Sequence, residues 1–154
     1  MNRRTIGVVV IVALAVASTM LRDYLFVNLN YQMDHLAEQT AYSYAHSRFQ
    51  AQVAHLDLAD LVRWKWFLAI AFVLFSLLLA IGLSRVLFGD HRYARPIVFG
   101  YAALGCASFL FHWLSSGADA WYNISVKLLH ALQYPVILLF IWGAHQLWSL
   151  RRAG

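Results

Sequence analysis

"WFLAIAFVLFSLLLAIGLSRVLF", residues 66–88, holds no charged side chain before Arg85. A run this long and apolar meets the roughly 20 residues that a helix needs to cross a bilayer. A helix also bonds its own backbone groups, which an isolated strand in lipid cannot do. Working outward, "TIGVVVIVALAVASTML" (Thr5–Leu21) lies between Arg4 and Arg22, and two further apolar runs follow at about 96–115 and 121–148. Composition agrees, with 62% hydrophobic and 12% charged residues, where a soluble domain carries about 25% charged. The reading is an all-α integral membrane protein whose residues 1–154 form a single membrane domain. Its expected spans are about 5–22, 66–88, 96–115 and 121–148. They form a four-transmembrane-helix bundle, with an amphipathic helical extracytoplasmic segment, 23–65, between spans one and two.

Orientation follows from the basic residues of the short loops. With the N-terminus inside, the inner segments hold Arg3, Arg4, Arg85, Arg92, Arg95, Arg151 and Arg152 against Asp90 alone. On the outer side Arg22, Arg48, Arg63, Lys65 and Lys127 are balanced by Asp23, Asp34, Glu38, Asp57, Asp60 and Asp119. Both termini are therefore expected in the cytoplasm, and the net charge of +5 is a topology signal, with no nucleic-acid partner. Trp64, Trp66, Trp113, Trp121 and Tyr122 fall at the outer boundary, and Trp142 and Trp148 toward the inner one, as an aromatic belt would. A rival reading of the first eighteen residues is a cleavable signal peptide ending near Ala15-Val16-Ala17. The unbroken run through Leu21 favours a retained span.

The outer segment has no proline or glycine. Leu29, Met33, Leu36, Ala41, Tyr44 and Phe49 fall roughly on one helical face, predicting a helix along the membrane surface and then a turn near residues 50–56. Asp57 is placed to cap a helix running from Leu58 to Phe88. Tyr31, Tyr42, Tyr44 and Phe49 suit a partner-docking surface, Tyr31, Tyr44 and Phe49 above all; self-packing is the other reading. His35, His46 and His55 are spaced unlike any compact metal motif.

Two stripes remain. Tyr101, Gly105, Ser108, His112 and Ser115 recur at helical spacing on span three, and Asn123, Lys127, His130 and Tyr134 do so on span four. Polar faces avoid lipid and small residues let helices approach, so the stripes are expected to face each other or a common partner. Pro135 frees the carbonyl of Ala131 beside His130. One reading is an interhelical polar cluster of Ser108, His112, Lys127, His130 and Tyr134 that fixes register. A second is a cofactor site, with haem, a metal or a quinone on His112 and His130. A third is proton or ion handling, since intramembrane ionisable groups are functional candidates. The expectation is no resident cofactor, with haem or metal as the alternative and no particular metal indicated. No catalytic residue is named, because no nucleophile elbow, phosphate-binding loop or dinucleotide fingerprint is present. Cys106, the sole cysteine, has no charged activator nearby in sequence.

The stretch "RDYLFVNLNYQMDHL…YSYAHSRF" (residues 22–49), set between one span and three more, resembles small bacterial inner-membrane proteins described as exosortase F system-associated. That group has no established biochemical activity and no catalytic residues to carry over. The exosortases themselves look like membrane cysteine proteases on a larger multispan frame, which this chain lacks. The resemblance implies a bacterial inner-membrane location and a companion role in envelope protein sorting. The function expected is that of a non-catalytic accessory or assembly subunit of a membrane complex, whose partners are the lipid bilayer and other membrane or periplasmic proteins. The alternative is a cofactor-, metal- or ion-binding membrane protein using His112 and His130.

Overall fold

The computed structural model describes residues 2–115 and 119–153, with side chains over 2–115 and 121–147. The side chains of Asp119, Trp148, Arg151 and Arg152, to which charge and belt roles were assigned above, lie outside the described residues. The described chain is all-helical: α1 (Arg3–Glu38), α2 (Ser47–Val53), α3 (Leu58–Phe88), α4 (Ala94–Leu114), α5 (Asp119–Gln133) and α6 (Val136–Ala153). Among the described residues α1, α3 and α4 are each long and apolar enough to cross a membrane, and α5 with α6 adds a fourth if that bent pair is one span.

The chain divides into two compact units, residues 17–72 and residues 1–16 with 73–154. In residues 17–72, α1 differs from its expected bounds. It continues through Arg22 and Asp23 without a break and stops only at Glu38, so residues 23–38 are not a separate surface helix. The cause is local. Arg22, only 4% exposed, pairs with Asp23 at 2.8 Å and lies over the Phe26 ring at 5.0 Å. Its charge is thereby compensated inside the helix, and no Gly or Pro intervenes.

The reversal uses two short connections in place of one turn. The first begins at Gln39, whose φ is 51°, a left-handed conformation that ends helices. The second follows α2, and there the Asp57 carboxylate accepts from the Asp60 N–H at 2.7 Å. Asp57 thus caps α3, as its position predicts. Leu29, Ala45, Phe49 and Leu61 form the core of this unit, with Leu25, Met33, Val53, Leu56 and Leu68 around it.

In the other unit the start of α1 packs on α3. A Cβ at Gly7 would meet both γ-methyls of Val86 at 3.2 Å, and one at Gly82 would meet Ile11 at 3.7 Å. Ala15, Leu79, Ala80, Leu83, Tyr101, Leu132 and Leu138 are buried together. Gly89 closes α3 at φ +71°, its N–H bonded to the Arg85 carbonyl at 2.9 Å. The expected fourth span is broken: α5 and α6 meet at 61°. Pro135 sits at the break, where it cannot donate to Ala131 and its ring crowds the preceding turn. The next bond, Leu138 N–H to the Pro135 carbonyl at 3.1 Å, is already of the tighter i→i+3 kind.

Candidate functional site

Ser108 is buried on α4, and its hydroxyl donates to the Ser125 carbonyl at 3.0 Å. Ser125 returns the bond, its hydroxyl donating to the Ser108 carbonyl at 2.8 Å, and the two hydroxyl oxygens are 3.4 Å apart. The contact between α4 and α5 is thus a reciprocal serine clasp. Farther along α4, the Tyr101 hydroxyl bonds Ser76 of α3 at 2.9 Å. Ser108 and Tyr101 are therefore both interhelical, but their partners are Ser125 and Ser76, which the stripes did not contain.

The remaining members of the expected cluster take other places. His112, Lys127 and His130 are exposed and Tyr134 is half-buried. The His112 ring lies 6.1 Å from that of Tyr122, and the His130 ring 6.4 Å from that of Tyr134. The physical reason is the rotation of α5. Its buried residues are Ser125, Leu132 and Gln133, so Asn123, Lys127 and His130 occupy another side of the helix. The signal was present in the sequence as Ser125, Leu128 and Leu132 at +3 and +4, a mostly apolar stripe with one small hydroxyl.

The chemistry open to this arrangement is limited. A hydroxyl has one proton, and Ser108 commits its own to a backbone carbonyl, which leaves no nucleophile–base pair with His112. Among the described residues, no three of His, Cys, Asp and Glu come together as a metal site would need. Cys106 is exposed on α4. The His145 ring packs edge-on against Phe88 at 5.3 Å.

The docking residues divide. Phe49 is 6% exposed and belongs to the core of residues 17–72, which removes it from the docking surface. Tyr31 and Tyr44 are exposed, Tyr44 at 70%. Tyr42, also exposed, joins them: its hydroxyl is 3.0 Å from that of Tyr44, and the Tyr31 and Tyr44 rings lie 6.0 Å apart. The hydrogen bond to Tyr42 holds the Tyr44 hydroxyl above the usual phenol pKa.

This patch stands on a fixed loop. Asn28 accepts from the His46 N–H at 2.5 Å while donating to the Tyr24 carbonyl. Gln50 donates to the carbonyls of Ser43 at 3.0 Å and Ala45 at 2.6 Å. Ser43 reaches the Tyr31 carbonyl at 3.4 Å. Asn28 and Gln50 were not singled out in the sequence, because their bonds span 18 and up to 7 positions and follow no periodicity. No protein-family model, no curated protein and no solved structure matches the chain.

Proposed function

We propose that the chain is a multi-pass protein of a bacterial inner membrane, with both termini cytoplasmic. It serves as a non-catalytic accessory or assembly subunit of a membrane complex, and its tyrosine patch (Tyr31, Tyr42, Tyr44) receives a protein partner. One observation carries the membrane part. Large apolar side chains stand outside the cores on α1, α4 and α6, among them Val9, Val10, Phe99, Phe109, Trp113 and Phe140, with Phe109 and Trp113 72% exposed. Large exposed apolar side chains in this number drive association in water, whereas lipid is their ordinary surrounding on a membrane helix.

Orientation is supported by Arg151 and Arg152. If α5 and α6 together cross the bilayer, these arginines join the other basic inner segments, as the positive-inside rule favours. A re-entrant α5–α6 pair would leave them outside. The partner reading is supported by the patch itself, since exposed tyrosines on an ordered backbone lose little entropy on docking. The likeness of residues 22–49 to exosortase-associated proteins supports envelope sorting as the setting.

Two measurements test this reading. In a Cys106→Ser background, a cysteine placed at residue 92 should be protected from an impermeant thiol reagent added to cells, and one at residue 44 should react. The reverse pattern would break the orientation. Replacing Tyr42 and Tyr44 with Ser should leave the protein folded and deplete its co-purifying proteins; an unchanged set would break the docking role.

A further inference from the structure

A shallow, open groove of about 270 Å³ lies on residues 17–72, lined by Asp60, Arg63, Trp64 and Phe67. These are positions i, i+3, i+4 and i+7 of α3, hence one stripe. Its two ends differ. At the polar end the Arg63 guanidinium is 3.0 Å from the Asp60 carboxylate; Arg63 is exposed and Asp60 half-buried. At the apolar end the Trp64 and Phe67 rings meet edge to face at 5.7 Å. Ile70, also exposed, continues the stripe.

A positive and a negative group side by side at the head of an apolar groove complement a ligand built the same way. An exposed pair of this kind contributes little by itself, so its two charges exchange readily for those of a ligand. A phosphodiester presents two oxygens that match the fork of a guanidinium. A primary ammonium donates N–H bonds to a carboxylate and is attracted to an indole face. Acyl chains would then lie against Phe67 and Ile70.

We propose that this groove binds the headgroup of phosphatidylethanolamine, with the phosphate on Arg63, the ammonium on Asp60 and Trp64, and the glycerol esters at Phe67. The two obvious competitors each lack one element. A phosphatidylglycerol headgroup has no cation for Asp60, and a phosphatidylcholine headgroup has no N–H for its carboxylate. The proposal rests on the membrane reading above, because Trp66–Phe88 must lie in lipid for this stripe to meet headgroups.

The test is native mass spectrometry of the full chain in detergent, titrated in turn with phosphatidylethanolamine, phosphatidylcholine and phosphatidylglycerol of matched acyl chains. The wild type should bind the ethanolamine lipid about fivefold more tightly than either other lipid, the upper range for an exposed charged contact. Asp60→Asn should lose the preference over phosphatidylcholine, and Arg63→Gln should weaken ethanolamine-lipid binding by a similar factor. Equal affinity of the wild type for all three lipids overturns the proposal, as does a preference that survives in Asp60→Asn. Flotation of the chain with phosphatidylcholine–phosphatidylglycerol vesicles separates the two ideas. A chain that does not float breaks the membrane reading and the site with it; one that floats but shows no lipid preference breaks the site alone.

Discussion

Residues 17–72 and the bundle of residues 1–16 and 73–154 are both helical, yet they are held in different ways. In the first, side chains repeatedly bond distant backbone: Asn28 to His46, Gln50 to Ser43 and Ala45, Ser43 to Tyr31. In the second, hydroxyls bond from helix to helix, Ser76 with Tyr101 and Ser108 with Ser125, and glycines admit close neighbours at Gly7 and Gly82. A loop must satisfy its backbone groups one by one. A helix in a bundle arrives already satisfied and needs only a fitting surface. The difference teaches that the loop region is sensitive to losing single side chains, and the bundle to gaining volume.

The largest effect should come from Phe49→Ala. Truncating a buried phenylalanine costs about 3–5 kcal/mol. Hydrogen exchange over residues 39–56 should speed up sharply while α4 remains protected. Equal acceleration in both units would erase the contrast drawn above.

Asn28→Leu comes next. It removes the acceptor of the His46 N–H, and a partly buried donor left unmet costs about 1–3 kcal/mol. Asn28→Gln keeps both the acceptor and the donor on a longer arm and should be milder in denaturant titration of the purified protein. If the two variants are equally destabilised, the bond to His46 is not what fixes the loop.

Gly89→Ala should cost about 1 kcal/mol, because a left-handed φ at a helix end suits glycine. The same change at Gly105, where an added Cβ meets nothing within 4 Å, should stabilise through helix propensity. Thermal unfolding in detergent distinguishes them by sign.

The smallest effect belongs to the serine clasp. Ser108→Ala and Ser125→Ala should each cost about 0.6 kcal/mol, within the range of interhelical bonds in membranes. The two costs should nearly add, because each hydroxyl donates to a backbone carbonyl that the other substitution leaves in place, and only the 3.4 Å hydroxyl contact is shared. A clear shortfall from additivity would mean that the contact between the two hydroxyls carries the clasp.

Much of this architecture was legible in the sequence. The cap at Asp57 and the extent of α3 follow from one carboxylate and one apolar run. The continuity of α1 was not, because hydropathy treats Arg22 and Asp23 as two independent charges. Adjacent and opposite, with Phe26 one turn on, they compensate each other inside a helix. The break at Pro135 could be located from its missing donor, but its angle is set by what α5 and α6 pack against. Periodicity placed His112 with Ser108 and His130 with Lys127, yet it cannot say which side of a helix meets its neighbour. For α5 that was decided by Ser125 and Leu132. Phe49 joined the tyrosines by spacing along one uninterrupted helix; the chain reverses at Gln39, and the phase is lost there.

The brevity of α5 bears on the order of events during synthesis. Its 15 residues reach about 22 Å, short of a hydrocarbon layer of roughly 30 Å. They include Asn123, Lys127, His130 and Gln133, and a lysine at mid-helix alone opposes insertion by about 2.5–3.5 kcal/mol. In the membrane reading, such a segment does not leave the translocon for lipid by itself. It would leave against α4, which emerges first and offers the Ser108 carbonyl to which Ser125 donates. The two helices would then enter the bilayer as one hairpin, and a chain cut after Gln133 would retain α5 only while α4 remained intact.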